Sequence, residues 1–134
     1  MNTFRVQLLA AARSETLEGV ASFVGEDSSG SFGLQAHHVR FMTVLTFGLA
    51  RLRMAGSDWQ YLGVPGALLY FVDNELRIST RRYVMGSDAG AIAGTLAREM
   101  AAEEQALAQV RRKLRRLEAE ILERMAQLDR EWVA

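Results

Sequence analysis

The spacing of apolar residues changes abruptly near Gly86, and this change limits the chain to a two-part architecture. Ten of the eleven aromatic residues and the only proline lie before that point, whereas no glycine or proline occurs from Thr95 to Val133. Before Gly86 apolar residues alternate within short runs, as in strands; after it they recur every three or four residues, as on a helix. We therefore expect two domains, a β-sandwich over residues 1–86 and a helical regulatory domain over residues 87–134.

The first part reads as short strands separated by glycines and other turn-forming residues. Residues 4–8 alternate in polarity, and a β-rich run over residues 17–24 is followed by a turn cluster at residues 25–30. Asp73-Asn74 lies between two apolar runs and suits a two-residue hairpin, because Asn tolerates positive φ. No helix-length segment separates the runs, so an antiparallel β-sandwich is predicted. The remaining predicted strands are residues 43–47, 49–53, 59–62, 67–72 and 76–80.

The second part carries a single apolar stripe at helical spacing. Ser87 or Asp88 could cap the first turn. Glu103-Glu104 interrupts the stripe, so a helical hairpin turning between Glu103 and Gln109 stays open beside one long helix, which the absence of a turn glycine favours. An isolated helix cannot bury its own apolar stripe, so we expect it to fold back on a partner helix or to dock on another subunit. The stripe consists of Ile92, Leu96, Met100, Leu107, Val110, Leu114, Leu117, Ile121, Met125, Leu128 and Trp132.

Composition argues against several classes of protein. The 134 residues include no Cys and only two His, which argues against disulfide scaffolds and zinc centres. His37 and His38 are adjacent, so in a strand they would point to opposite sides, and no Gly-x-Ser-x-Gly motif is present. No apolar run reaches the roughly 20 residues of a membrane span, and the amino terminus lacks a signal-peptide pattern. We expect no catalytic residue, no metal, no other cofactor and no direct membrane insertion.

Five cations fall within six residues of the predicted helix. Like charges four positions apart repel each other on a helix, so the cluster costs some helix stability. It is either a solvated flank of the helix or a docking surface for an acidic partner. Nucleic acid is disfavoured as a partner because the chain has equal numbers of acidic and basic residues, 16 of each. The basic cluster consists of Arg111, Arg112, Lys113, Arg115 and Arg116.

The stretch from Gly30 to Arg51 resembles the signature of the epsilon subunit of F-type ATP synthases, G-x-F-G-I-L-P-G-H-A-P-L-L-T-x-L-x-x-G-x-x-R. Residues 64–69, and Asn74 with the strand that follows it, also resemble the family. Residues 79–82 depart from most members and are similar to the divergent, alternate-operon branch that resembles sodium-translocating ATPases. Matching positions are Gly30, Phe32, Gly33, His38, Thr43, Leu45, Gly48 and Arg51; Ala36, His37 and Arg40 replace the customary Pro, Gly and Pro.

This resemblance implies a non-catalytic rotor subunit of the central stalk, which couples rotation of a membrane ring to the catalytic head. Its implied partners are the gamma subunit, the ring of c subunits and the alpha/beta head, at the cytoplasmic face of the bacterial inner membrane. A loop carrying Ser31 and His38, with Phe41 after it, would contact the ring or stalk. The basic cluster would approach an acidic segment of the catalytic beta subunit and inhibit ATP hydrolysis.

One departure from the family pattern concerns nucleotide binding. Some relatives bind ATP through an acidic residue followed three positions later by Arg-Ala. Here the residue three positions after Asp88 is Ala91 instead of Arg. We therefore predict that the chain binds no nucleotide. The alternative to a stalk subunit is a free-standing β-sandwich adaptor that dimerises through a coiled-coil helix.

Overall fold

A computed structural model describes residues 2–133, and this range contains nine strands and one α-helix. Ala134 and the side chain of Trp132, the last predicted stripe position, lie outside the described part. The elements are β1 (Phe4–Leu9), β2 (Ser14–Asp27), β3 (Gly30–Gln35), β4 (Phe41–Leu45), β5 (Gly48–Met54), β6 (Trp59–Val64), β7 (Ala67–Val72), β8 (Glu75–Ser79), β9 (Val84–Gly86) and α1 (Ala89–Val133).

The strands form a two-layer sandwich, which confirms the predicted fold class. One layer contains β4, β7, β8 and β1, and the other contains β3, β5, β6 and β9. In β1, β5, β7 and β8 buried residues alternate with more exposed ones, and the buried residues of both layers fill the space between them, as hydrophobic burial requires. The largest side chains with less than 2% exposure include Phe23, Phe71, Leu8, Leu34, Leu52, Leu62, Leu69, Leu76 and Ile78.

The long strand β2 belongs to both layers. Its first half pairs with β1, and its second half pairs with β3 and β5. Gly19 lies between the halves at a φ of 71°, where a side chain would be strained, and the pairing register of β2 with β5 shifts between Val20 and Ser22. The bend at Gly19 therefore lets one strand cross from one layer to the other.

The predicted hairpin at Asp73-Asn74 is confirmed. The two residues have φ values of 51° and 59° and join β7 to β8. Such a turn matches the right-handed twist of the flanking strands, and Asx side chains tolerate this conformation best after glycine.

Three features of the sandwich differ from the prediction. Residues 25–27, predicted as turn, continue β2, because the turn is confined to Ser28-Ser29 and ladder pairing with β3 starts at Asp27 and Gly30. Neither β3 nor the three-residue strand β9 was predicted. Strands β1 and β8 pair in parallel, which is open to them because six intervening strands connect them.

The helical segment is a single helix, α1, so within the described residues the hairpin alternative is wrong. Asp88 caps it, accepting hydrogen bonds from the backbone amides of Gly90 at 3.0 Å and Ala91 at 3.2 Å. The chain divides into two compact units, one ending at Arg98 and one beginning at Glu99. The first unit includes the start of α1, where Ile92 and Leu96 are buried.

Gly86 and Ile92 lie close together where the sandwich meets the start of α1. A Cβ atom at Gly86 would lie 2.9 Å from Cδ1 of Ile92, so a side chain there would displace the end of Ile92. The end of β9 at Gly86 coincides with the predicted boundary between residues 86 and 87. That residues 1–86 and residues 87–134 have separate functions stays a prediction.

Candidate functional site

The described residues offer surfaces for contact with other chains. Within residues 2–133, no three His, Asp or Glu side chains lie close enough together to hold a metal ion. The helix in that range has no segment both long enough and apolar enough to cross a membrane. Exposed side chains lie at the ends and on the faces of the sandwich, and along α1.

One end of the sandwich, the histidine end, consists of the β3–β4 loop at His37–Arg40 and the Asp73-Asn74 turn. The side-chain oxygen of Asn74 accepts a hydrogen bond from the backbone amide of His37 at 2.7 Å. The side-chain nitrogen of Asn74 donates to the carbonyl of Thr3 at 2.9 Å. One asparagine thus ties together the loop, the hairpin and the start of β1.

At this end the structure brings His38 and Phe41 together. The His38 ring lies edge-on to the rings of Phe41 and Phe71, with centroid distances of 5.9 Å to each. Its Nδ1 atom is 2.7 Å from the carbonyl oxygen of Val39. Phe41 is half-buried and packs on Phe32 at 5.2 Å, whereas His38 is exposed. His38 is therefore held by aromatic contacts but remains open to a partner.

The opposite end, the serine end, consists of the Ser28-Ser29 turn, Ser31 and the Thr46-Phe47 turn. Asp27 joins the Ser28-Ser29 turn to β4: its carboxylate accepts hydrogen bonds from the Ser29 amide at 2.9 Å and the Thr43 hydroxyl at 2.7 Å. The Ser29 hydroxyl also donates to this carboxylate, at 2.5 Å, and this hydrogen bond first and that from Thr43 second lower the pKa of Asp27. The Phe47 side chain is 57% exposed, so this end presents an aromatic ring to its surroundings.

Ser31 and His38 therefore do not share a loop, contrary to the sequence prediction. Ser31 lies in β3 opposite Glu26, next to the Ser28-Ser29 turn, whereas His38 follows the other end of β3. The four steps from Ser31 to Gln35 alone span roughly 13 Å of extended strand. The glycines at positions 30 and 33 suggested a loop, but their backbone pairs with β2.

An exposed apolar patch on the outer face of β4 and β7 was missed by the sequence analysis. Met42, Val44 and Leu68 are 60%, 63% and 47% exposed, and Val44 pairs directly with Leu68. We call these three residues the outer apolar patch. Its signal in the sequence was that both faces of β4 and β7 carry apolar residues, although only one face of a two-layer sandwich is covered.

A second missed surface combines cations with an aromatic ring on β5 and β6. The guanidinium groups of Arg51 and Arg53 lie 4.5 Å and 5.3 Å from the centre of the Trp59 ring. Both arginines are exposed, and Arg53 pairs with Trp59 across the two strands. Single arginines spaced two apart in a strand give no pattern that distinguishes them from ordinary surface residues.

The basic cluster of α1 is fully on the surface of the second unit. All five cations, Arg111, Arg112, Lys113, Arg115 and Arg116, are exposed. The apolar stripe divides in two: Ile92 and Leu96 are buried in the first unit, whereas its members between Leu107 and Leu128 are 48% to 59% exposed. The second unit therefore presents both a charged surface and an apolar one.

Comparison with known proteins identifies the family. Residues 3–86 match the family described as "ATP synthase, Delta/Epsilon chain, beta-sandwich domain". The chain is 35% identical over 130 residues to "ATP synthase epsilon chain 2" of Cereibacter sphaeroides, covering 96% of this chain and 88% of the relative. It is 34% identical to an ATP synthase epsilon chain of Gloeothece citriformis over 64 residues, which cover 48% of this chain and 43% of the relative.

Solved structures show the same fold at low identity. A chain of the Euglena gracilis mitochondrial ATP synthase, solved as OSCP/F1/c-ring, aligns with a TM-score of 0.57 at 18% identity, covering 75% of this chain and 64% of that one. A chain from the central stalk and c-ring of the Tetrahymena thermophila enzyme aligns with a TM-score of 0.51 at 15% identity, covering 60% and 64%.

The chain therefore belongs to the ATP synthase delta/epsilon family. It is a non-catalytic subunit of the central stalk of F-type ATP synthase, and this assignment decides against the free-standing adaptor.

Proposed function

We propose that the subunit couples rotation of a c-subunit ring to the alpha/beta catalytic head by binding the gamma subunit through its sandwich. The observation that carries this proposal is the outer apolar patch of Met42, Val44 and Leu68, since exposed apolar side chains grouped on a rigid sheet are typical of a protein interface. The structures with the same fold come from assemblies that contain a c-ring, and one of them contains a central stalk.

The gamma contact can be tested by co-purification with a gamma subunit. Val44→Glu and Leu68→Glu place a charge in the patch and should each reduce binding at least tenfold, about 1.4 kcal/mol. Thr16→Glu, at an exposed polar position of β2, is the matched control and should bind normally. Normal binding by both patch variants would contradict the proposal.

The two ends of the sandwich are proposed to contact different partners. His38 lies in the loop that leads into β4, the strand that carries Met42 and Val44 of the outer apolar patch, and Phe41 contacts its ring from the inner face of that strand, so we assign both to the stalk contact with gamma. Ser31 lies at the opposite end, and we assign it to the contact with the membrane ring. In the assembled complex, a cross-linker at Ser31→Cys should reach the c subunit, and one at His38→Cys should reach gamma. The reverse result would refute the assignment.

The basic cluster is proposed to approach an acidic segment of the catalytic beta subunit and to inhibit ATP hydrolysis. Support comes from its exposure and from the mutual repulsion of its cations, which an acidic partner would relieve. Replacing all five cations with Ala should raise ATP hydrolysis by the assembled enzyme, and high salt should do the same for the unmodified protein because exposed charges are screened. Arg130→Ala is the control, and unchanged hydrolysis in the five-fold variant would contradict the inhibitory role.

The proposed location is peripheral, at the cytoplasmic face of a bacterial inner membrane. The support is that the relatives similar in sequence are bacterial epsilon chains. Residues 87–134 would then act as the regulatory domain and residues 1–86 as the coupling domain.

A further inference from the structure

Six of the exposed apolar residues of α1 between positions 107 and 128 are spaced symmetrically about the middle of the segment: Leu107, Val110, Leu114, Ile121, Met125 and Leu128. From Leu107 the steps to Val110, Leu114 and Leu117 are three, four and three residues. Counted backwards from Leu128, the steps to Met125 and Ile121 are again three and four residues, and a further step of three falls on Glu118, so the match ends at the central pair. The mirror point lies between positions 117 and 118. Apart from Leu117 and Glu118 at the centre, the helix presents these apolar residues at the same spacing in either direction.

Two copies of this segment fit together when they run antiparallel. With the mirror points superimposed, Leu107 of one copy lies level with Leu128 of the other, Val110 with Met125, and Leu114 with Ile121. Two-fold symmetry repeats each of these pairs, so six apolar layers form. The pairs fall on the positions that meet in antiparallel helices packed knobs-into-holes. Each side chain is 48% to 59% exposed in the single chain and would lose that exposure in the pair.

The charges favour this direction over the parallel one. Parallel copies in register would set each basic cluster against its own copy. In the antiparallel register, Arg115 lies near Glu118 of the second copy and Arg116 near Glu120, and symmetry repeats both pairs. The cations at the centre of the segment thereby gain acidic neighbours that the parallel pair denies them.

The pairing also fits the division of the chain into two units. The register sets position 102 of one copy level with position 133 of the other, so the paired segments lie within the unit that begins at Glu99. The buried contacts of Ile92 and Leu96 in the first unit are not needed for it.

We infer that the free chain forms a homodimer through an antiparallel pair of α1 helices centred between positions 117 and 118. This dimer is a state of the chain outside the ATP synthase complex. It goes beyond the stalk function and does not depend on any contact proposed above.

Cysteine cross-linking tests the direction and register, because the chain contains no native Cys. An equimolar mixture of Leu107→Cys and Leu128→Cys should form the mixed disulfide, whereas either variant alone should form little. Leu117→Cys should cross-link with itself, and Ala119→Cys, on the opposite face, should not. Strong self-cross-linking of Leu107→Cys would indicate a parallel pair and overturn the inference.

Sedimentation of the full chain tests whether the dimer exists. Leu114→Gln and Ile121→Gln keep helix propensity but remove apolar contact, and each should raise the dissociation constant at least tenfold, about 1.4 kcal/mol. Ala119→Gln is the control and should leave it unchanged. A chain that stays monomeric at the highest concentration reached would overturn the inference, and gamma binding by that same sample would show that the stalk function stands regardless.

Discussion

At the scale of single residues, Asn74 combines a backbone requirement with a side-chain one. Its φ is 59°, and its amide group bonds to His37 and Thr3. Asn74→Gly keeps the backbone and loses both hydrogen bonds, so the free energy of unfolding should fall by about 1–3 kcal/mol. Asn74→Ala also forces alanine into a left-handed backbone conformation, so its free energy of unfolding should be lower by roughly a further 1 kcal/mol. Urea denaturation measures both; equal values would show that the conformation costs nothing at this position.

Tyr83 makes stability sensitive to alkaline pH. It is buried, and its hydroxyl donates to Glu15 at 2.8 Å; burial first and this hydrogen bond second raise the pKa of Tyr83 above 10.0. Because the folded state holds the proton more tightly, its contribution is complete below pH 10 and is lost as pH rises through the folded pKa. Between pH 10 and the folded pKa of Tyr83, the free energy of unfolding should therefore fall more steeply in the unmodified chain than in Tyr83→Phe. Parallel pH curves for the two proteins would contradict this.

At the scale of elements, the cap of α1 rests on Asp88. Removing its two hydrogen bonds to Gly90 and Ala91 in Asp88→Ala should destabilise the first turn by about 1 kcal/mol, measured by denaturation and by faster amide exchange at those two positions. Ser87→Ala is the matched control and should change neither quantity. A loss of stability in Ser87→Ala equal to that in Asp88→Ala would move the cap to Ser87.

Most elements were predictable because their signals are local. Alternation predicted β1, the hairpin residues predicted the β7–β8 turn, and unbroken helical spacing predicted α1. The parallel pairing of β1 with β8 was not predictable, since it joins residues about 70 positions apart and leaves no local pattern. The strand β9 is too short, at three residues, to show a period.

The candidate functional surfaces were likewise only partly predictable from the sequence. The basic cluster is contiguous in sequence, so its exposure on one helix followed from the residues alone. The outer apolar patch depends on which strands become neighbours: Val44 and Leu68 pair only after β4 meets β7. The separation of Ser31 from His38 depends on the strand pairing of β3, which its glycines obscured.

At the scale of the whole molecule, the sandwich should need the first turns of α1. A chain ending at Arg98 keeps Ile92 and Leu96 in place, whereas one ending at Asp88 exposes the surface they cover. Each side chain contributes about 1.5–3 kcal/mol when buried, so the shorter chain should be less stable by roughly 3–6 kcal/mol in thermal or urea unfolding. Equal stability of the two would instead favour a structural boundary directly after Gly86.

The passage of β2 through both layers has a mechanical consequence for a subunit that turns with a rotor. A sandwich in which each strand belongs to one sheet transmits sideways force between its sheets through packed side chains and connecting loops. Here a strand also joins the two sheets at Gly19, so its backbone carries part of that force. We therefore expect less sliding between the two layers than side-chain packing and loops alone would allow.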